Sequence, residues 1–316
     1  MGLFGMGRQG YGDGGTPGGR GFSWRVLAGL AIAAIALVTY YSRTQLNPVT
    51  GEKQHVGSLT AEDEKALGLQ AAPKMAQQMG GALDPRSDPD ARTVAEVGHK
   101  LVKSTEASKS PYVGNFNFYL LDDRNVINAF ALPGGQIFIT RALFDKLRDE
   151  AELAGVLGHE VGHVINRHSA EHMAKGQLGQ MLVGAVAVGA SDDQRRGQMA
   201  AAAAAMANQM VQLKYSRGDE SEADAYGLKL LAQSGYDPRG MLDVMEVLKQ
   251  ASGGGKQPEW MLTHPLPENR FAEVKQIIAQ MYPNGVPTAL TRGRELHGNA
   301  APAGDRERMN QSSYRR

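Results

Sequence analysis

Cysteine is absent from the 316 residues of the sequence. Its absence excludes disulfide bonds and thiolate metal sites, so any tight metal site must be built from histidine and carboxylate side chains. An excess of charge of either sign is also missing, because 34 lysines and arginines stand against 33 aspartates and glutamates, for a formal net charge of +1. This balance gives no reason to expect nucleic acid as a partner. Hydrophobic residues make up 42% of the chain, as in ordinary globular proteins.

An uncharged apolar run occurs near the amino terminus, at residues 26–41. As a helix it would extend roughly 24 Å, slightly less than a hydrocarbon core of about 30 Å. Trp24 precedes the run and Tyr40 and Tyr41 end it, as in helices that aromatic residues anchor at both membrane surfaces. A cleaved signal peptide and a buried soluble helix are the alternatives, but no small-residue cleavage site follows the run. We therefore expect a single transmembrane anchor over residues 24–41.

Basic residues around this run favour one orientation. Arg8, Arg20 and Arg25 precede it, whereas Arg43 and Lys53 follow it. The excess before the run predicts that the amino terminus lies in the cytoplasm and that residues 42 onward lie outside.

The rest of the chain divides by composition. Residues 1–23 are rich in glycine and residues 284–316 in Gly, Ala and Arg, and both segments predict disordered tails. Residues 42–89 indicate a linker with a lead-in helix, and residues 90–283 a folded domain. The apolar stretches 178–190 and 199–211 are too short to span a bilayer, and they could cover a site or contact a membrane.

Hydrophobic periodicity predicts a predominantly helical α+β domain. Helices are predicted at residues 90–104, 150–173, 220–233, 238–250 and 267–281. Strands are predicted at residues 115–121, 128–132 and 136–140. The last two strands flank Pro133-Gly134-Gly135, which indicates a hairpin.

Residues 159–163 read H-E-V-G-H, an H-E-x-x-H motif within the predicted helix 150–173. Residues four apart on a helix differ by about 40° in direction, so His159 and His163 point the same way, one turn apart. Two ligands of one zinc ion need this arrangement. Glu160 lies beside them, where its carboxylate can take a proton from a water that the metal activates.

The same helix carries Gly155, Gly158 and Gly162 on one face and apolar residues on another. Three glycines cost roughly 2–3 kcal/mol relative to alanine. A neighbouring element could approach closely along the glycine face, which places the helix at the centre of the domain rather than at its surface.

A third metal ligand is expected from the acidic segment 219–224. Glu220 shares its helical face with Asp224, Leu228 and other core-facing residues, whereas Glu222 shares its face with Lys229. We therefore select Glu220 as the ligand and Asp224 as the group that accepts the remaining N–H of a ligand histidine. The alternative is a solvated acidic helix start without a metal.

A second histidine pair, His168 and His172, forms the inverted motif H-x-x-E-H. On a continuous helix His168 would lie about 140° from His163, so the two pairs could not share one metal ion. We interpret His168 as a buried, hydrogen-bonded histidine.

His264 lies in the proline-rich segment 263–270. It could donate a hydrogen bond to the oxyanion of a tetrahedral intermediate, or it could occupy the open metal position at rest. A loop histidine without a role is the third interpretation.

Four motifs occur in a fixed order: N-A-F-A-L-P-G-G at 128–135, H-E-V-G-H at 159–163, E-S-E-A-D at 220–224 and H-P-L-P-E-N-R at 264–270. In this combination the chain resembles the HtpX/BepA-like zinc metallopeptidases, bacterial relatives of the CAAX prenyl proteases, over roughly residues 90–283. The resemblance implies a gluzincin-type domain with a small antiparallel sheet and one zinc ion per chain.

The residue roles implied by the resemblance agree with those argued above. It makes His159, His163 and Glu220 the zinc ligands, Glu160 the general base and Asp224 the partner of a ligand histidine. It places His264 near the metal and makes Arg270 a structural or substrate-facing residue. It also places an edge strand at Asn128, Ala129 and Phe130 beside the cleft, where an extended peptide can bind through main-chain hydrogen bonds.

The function expected from this resemblance is a membrane-anchored zinc metalloendopeptidase that hydrolyses misfolded or unassembled envelope proteins. Its expected location is the inner membrane, with the catalytic domain on the periplasmic side. The tetratricopeptide repeats of BepA-like members and the several membrane spans of HtpX are missing, so the substrates and partners of those branches do not transfer. The alternative is a membrane-tethered holdase or assembly factor with a structural zinc ion.

Overall fold

The computed structural model describes residues 24–57, 59–189, 215–252, 258–265 and 269–297. The predicted tail 1–23 and the apolar stretch 199–211 lie outside these ranges, as do residues 298–316. Helix α1, Trp24–Ser42, occupies the predicted anchor position and packs against the later helix His168–Gly189. Among the described residues, no helix has both the length and the apolar character needed to cross a membrane.

The segment after α1, predicted as a linker, has a defined structure. Strands β1, Gln45–Leu46, and β2, Lys53–Gln54, pair antiparallel and precede helix α2, Ala61–Gln78. Thr60 and Asp63 form a reciprocal capping box that begins α2. Helix α3, Pro89–Lys103, follows with Asp88 as its N-cap. The apolar positions that predict α3 from its periodicity are buried in the core: Val94, Val97, Leu101 and Val102.

A three-stranded sheet lies beside α3. Its strands are β3, Asn117–Leu121, β4, Ala129–Leu132, and β5, Gln136–Thr140, in the order β3-β5-β4. The predicted hairpin is confirmed, because β4 and β5 pair antiparallel. The prediction of an antiparallel sheet is wrong for β3, which runs parallel to β5. Every residue of β5 is buried, and a strand buried on both faces takes the centre of a sheet, which leaves β3 and β4 at the edges.

The metal-motif helix is shorter than predicted. After the single-turn α4, Arg141–Phe144, helix α5 runs over Glu150–Ile165, begins at the N-cap Asp149 and is buried along its whole length. It does not continue to residue 173, because the helical conformation is interrupted at Arg167, whose φ is 58°. The next helix, α6, covers His168–Gly189. Long-range contacts of Arg167 cause this break, and a helical periodicity does not reveal them.

Four more helices follow in the described part of the chain, and the first two of them pack against α5. They are α7, Arg217–Gln233, α8, Arg239–Ser252, α9, Glu259–Thr263, and α10, Arg270–Met281. The predicted glycine face of α5 is confirmed as a close contact. A Cβ atom at Gly162 would lie 2.7 Å from the carbonyl oxygen of Ala223 in α7, and one at Gly155 would lie 3.1 Å from the Cα of Met241 in α8. Glycine therefore lets two helices lie against the metal-motif helix.

The carboxyl-terminal prediction needs a correction. A disordered tail was expected from residue 284, but residues 284–297 pack on the domain. Thr291 N–H donates to the carbonyl of Gly235, and the N–H of Glu150 donates to the carbonyl of Arg294, each over 3.0 Å. Arg292 forms ion pairs with Asp149 at the start of α5. The arginines that gave this segment its polar composition thus pair with acidic residues of the domain.

The packing of α5 on α7 can be tested by substituting Gly162. Gly162→Ala is expected to lower the free energy of unfolding by about 1–3 kcal/mol, because the new methyl group meets the Ala223 backbone, which cannot yield. The control is Gly179→Ala in α6, where nothing lies within 4 Å. The control should gain about 0.5–1 kcal/mol from helix propensity. Denaturant titration of both variants measures the difference, and equal stabilities would contradict the close contact.

Candidate metal centre

His159 and His163 stand one turn apart on α5 and face the same buried space. Their Nε2 atoms are 3.0 Å apart, and each residue is at most 2% exposed. The spacing of four residues on an unbroken stretch of helix produces this juxtaposition. The structure therefore brings the two predicted imidazole ligands together.

Glu220 enters the same space from the first turn of α7. Its Oε1 lies 3.4 Å from His163 Nε2, and its Oε2 lies 3.6 Å from His159 Nε2. Ser216 caps α7 and fixes where that turn begins. Glu222, the competing carboxylate, is half exposed and points elsewhere. The choice of Glu220 by its helical face therefore agrees with the position of its carboxylate.

His264 supplies a fourth donor at the end of α9. Its Nδ1 lies 2.9 Å from Glu220 Oε1 and 3.2 Å from His159 Nε2. The donor atoms of His159, His163, Glu220 and His264, the donor quartet, all lie within 4.8 Å of one another. Ligands at 2.0–2.1 Å from a tetrahedral zinc ion are separated by roughly 3.3 Å. The five separations given above, between 2.9 and 3.6 Å, lie close to that value.

The carboxylate of Glu220 shows a further feature of a metal ligand. Its Oε2 is buried, and no hydrogen bond reaches it among the described residues. Arg270 Nη1 lies 2.6 Å away and forms an ion pair with it. The guanidinium offsets part of the cost of burying this charge, and a metal ion held by the quartet would be a second cationic partner of the same carboxylate. The residues present therefore fit a metal ion.

Burial and neighbouring charges set the protonation of the quartet. Burial lowers the pKa of His163 well below its usual value, which keeps its ring neutral as a metal ligand must be. Burial alone would raise the pKa of Glu220, but His264 and His163 outweigh it and lower the pKa. Burial would lower the pKa of His264, but Glu160 and Glu220 raise it. The cluster therefore favours an ionised Glu220.

Asp224 and Arg270 contact the His159 ring at Nδ1, the nitrogen that faces away from the quartet. Asp224 Oδ1 lies 2.8 Å from His159 Nδ1, so Nδ1 carries the hydrogen and Nε2 is left for a metal. Arg270, only 2% exposed, donates from Nε and Nη2 to both oxygens of Asp224 over 2.6 and 2.8 Å. Burial would raise the pKa of Asp224, but Arg270 lowers it. Of the two roles expected for Arg270, its contacts match the structural one.

Glu160 lies beside the quartet and has a partner that the sequence analysis missed. Trp260 Nε1–H donates to Glu160 Oε1 over 3.2 Å, and His264 Nε2 lies 3.6 Å from the same oxygen. The Trp260 indole also stacks on the His264 ring at 4.8 Å. The chain contains two tryptophans, and Trp260 lies four residues before His264. That proximity was the only available signal, because no spacing rule points from Trp260 to Glu160.

Two more aromatic contacts surround His163. Tyr215, which was not predicted as a site residue, stacks on the His163 ring at 4.0 Å, and burial raises its pKa. His168 Nδ1 lies 2.8 Å from His163 Nδ1. His168 and His172 pair with different carboxylates, Glu222 and Asp219. The inverted motif therefore does not form a metal cluster among the described residues.

The predicted peptide-binding residues lie at the edge of the sheet. Ala129 and Phe130 belong to β4, which has no strand on its outer side in the described part of the chain. The main chain of Asn128 is paired with Thr140, but its side-chain Oδ1 is buried without a hydrogen-bond partner among the described residues. Within the described part of the chain, the outer side of β4 is therefore unpaired, and an added strand could bind along its partly exposed residues, 130–132.

The sequence of this domain is similar to those of known proteins. The model of peptidase family M48 matches residues 89–278. The beta-barrel assembly-enhancing protease of Escherichia coli K12 is 34% identical over 195 residues, which cover 60% of this chain and 39% of that protein. The protein described as "Metalloendopeptidase OMA1, mitochondrial" from Bos taurus is 28% identical over 283 residues, which cover 81% of this chain and 50% of that protein.

The chain thus spans between about 40% and half of the length of these relatives. The resemblance to the HtpX/BepA-like metallopeptidases is confirmed at the level of the family. The matched range holds all four quartet residues and covers more than half of the chain. The chain belongs to peptidase family M48.

Proposed function

We propose that this chain is a zinc-dependent endopeptidase that hydrolyses peptide bonds in proteins. The observation that carries the proposal is the buried donor quartet with the Glu160 carboxylate beside it. Three imidazoles and one carboxylate, without sulfur, make a donor set that suits zinc. The names of the relatives support a peptidase activity, and membership of the family supports a metal-dependent one.

Glu160 is proposed as the general base. A bound zinc ion would polarise the scissile carbonyl and lower the pKa of the attacking water. Glu160 takes the proton of that water and passes it to the leaving amine. The hydrogen bond from Trp260 holds one carboxylate oxygen of Glu160 in place. Glu160 is 1% exposed, so its carboxylate is shielded from bulk water.

His264 is proposed to move during turnover. Four protein donors close a zinc site, whereas a catalytic site keeps one position open. The other three donors come from the long helices α5 and α7, but His264 ends the five-residue α9. It is therefore the donor that can leave the quartet, and once displaced it can donate a hydrogen bond to the oxyanion.

The closed quartet also favours a second candidate function. A zinc ion with four protein ligands is typical of structural sites. In this alternative, the chain is a holdase or assembly factor and the metal only stabilises its fold. Glu160 separates the two candidates, because a structural site needs no buried carboxylate beside its ligands.

Strand β4 is proposed to bind the substrate as an added strand. Bonded pairs alternate along an antiparallel ladder, and Thr140 N–H donates to the carbonyl of Asn128 over 3.0 Å. Phe130 is then the next residue bonded to β5, and the main-chain groups of Ala129 and Ala131 point away from β5. Ala129 is fully buried, so the groups that a peptide can reach are those of the partly exposed Ala131. An extended peptide would pair with these groups with little sequence preference.

Misfolded or unassembled envelope proteins are proposed as substrates, on the likeness to the assembly-enhancing proteases. Anchoring in the inner membrane through residues 24–41, with the domain on the periplasmic side, stays a prediction from the sequence. The side chains of α1 are compatible with an apolar environment, since Leu30, Ile35 and Val38 are more than half exposed.

Substitution of Glu160 tests the peptidase mechanism. Glu160→Gln removes the base and leaves every quartet donor in place, so one zinc ion per chain should still bind. Cleavage of an unfolded protein such as casein should fall by about 100-fold or more. Zinc content by plasma mass spectrometry and a fluorogenic cleavage assay measure both effects.

The matched control for this experiment is Glu171→Gln in α6, whose carboxylate accepts a hydrogen bond from the His55 N–H. The control should retain zinc and cleavage. If Glu160→Gln cleaves as fast as the wild type, the proposed mechanism is wrong. If the zinc-loaded wild type cleaves nothing under any condition, the holdase candidate is favoured.

Substitution of Ala131 tests the edge strand. Ala131→Pro removes an N–H that points away from β5 and leaves the bonded pairs of the ladder intact. The value of kcat/KM for peptides should fall by about 2–10-fold, the effect of one hydrogen bond. Ala131→Gly keeps the N–H and is the control. Unchanged peptide kinetics for Ala131→Pro, with zinc bound normally, would rule out pairing at this position.

A further inference from the structure

The helical interruption between α5 and α6 contains a residue with an unusual backbone conformation. Arg167 has a φ of 58°, and no other non-glycine residue in the described part of the chain has a positive φ. An L residue bearing a long side chain adopts this conformation only where its surroundings impose it. This strained residue lies four positions after His163, a member of the quartet.

Contacts from the amino-terminal segment impose the conformation. The buried Arg167 guanidinium donates from Nε to Glu64 Oε1 over 2.9 Å, and from Nη1 to Gln45 Oε1 over 2.7 Å. Tyr112 donates its hydroxyl to the other oxygen of Glu64 over 2.9 Å. Asn47 Nδ2 donates over 2.7 Å to the carbonyl of Ile165, which α5 leaves without a helical partner. These bonds hold the end of α5.

The interruption of the helix at Arg167 changes the direction in which the His168 side chain points. If α5 continued as a helix, the His168 side chain would lie about 140° away from His163. The turn at Arg167 instead brings the Nδ1 atoms of the two rings to 2.8 Å, and both rings are buried. The interruption thus places the His168 ring within hydrogen-bond distance of His163, a member of the quartet.

The positions of the hydrogens follow from the metal. A metal on Nε2 of His163 leaves the hydrogen on Nδ1, where it must be donated. His168 Nδ1 is the acceptor within reach, so His168 carries its own hydrogen on Nε2. That nitrogen lies 3.1 Å from Glu222 Oε2. Glu222, His168 and His163 therefore form a chain of hydrogen bonds that ends at the metal.

We propose that His168 is a positioning residue for the metal, and that Arg167 places it by breaking the helix. The proposal rests on the metal site of the proposed function. His159 has a direct carboxylate partner in Asp224, and His163 has a histidine with a carboxylate behind it. Partners of this kind fix the orientation and the tautomer of a ligand ring.

Two substitutions of the same shape test the proposal. The side-chain oxygen of an asparagine in place of His168 would stand near the position of the imidazole Nδ1, whereas a leucine has the same branching and no acceptor. His168→Leu should weaken zinc binding by about 10–100-fold, and His168→Asn should bind within about 3-fold of the wild type. Competition of the full chain with a chelator at fixed pH measures the affinity.

His172→Leu is the control, since His172 lies one turn further on the same helix and pairs with Asp219. It should leave the affinity unchanged. The visible spectrum of the cobalt-substituted protein gives a second readout. It should change in His168→Leu and stay as in the wild type in His168→Asn, because only the former loses the fixed His163 ring.

Several outcomes would overturn the proposal. It is wrong if His168→Leu binds zinc as tightly as the wild type, or if His168→Asn binds as weakly as His168→Leu. If His168→Leu does not fold, Glu222→Met at the half-exposed end of the chain of hydrogen bonds replaces it, and an unchanged zinc affinity there would also contradict the proposal. A wild-type chain that binds no zinc would instead overturn the proposed function.

Discussion

The whole site depends on the close contact between α5 and α7. One helix supplies two imidazoles and the other supplies the carboxylate, so the donors meet only if the helix axes approach closely. Gly162 makes that approach possible, because a side chain there would meet the backbone of Ala223. Glycine lowers the helix propensity of α5, but the buried surface around it offsets this cost. The packing of the core and the geometry of the metal centre are therefore the same constraint.

Burial of so many polar groups requires compensation, and each group has a partner. Arg270 neutralises Asp224 and lies against Glu220, while Asp224 holds His159. On the other side, His168 and Glu222 stand behind His163. Within this cluster, Glu220 Oε2 accepts no hydrogen bond from a described residue, and its described partner is the ion pair with Arg270. A buried network of this kind is stable only when nearly all of its members are satisfied, and a cation would complete it.

The sequence predicts those parts of the site that follow from local periodicity. His159 and His163 follow from a spacing of four, and Glu220 follows from the face it shares with Asp224 and Leu228. His168 could not be placed, because the helix was assumed to continue and Glu64, 103 residues away, fixes the break. Trp260 and Tyr215 were missed for the same reason, since tertiary packing alone brings them to the quartet. The pairing of residues 284–297 with the start of α5 is also long-range, so composition suggested a tail instead.

The strongest test of the account is X-ray absorption spectroscopy at the zinc edge, on the full chain loaded with one equivalent of zinc. The quartet predicts four nitrogen or oxygen neighbours at about 2.0–2.1 Å, with scattering from three imidazole rings. A chain that takes up no zinc, or a spectrum with six oxygen neighbours and no imidazole, would contradict it.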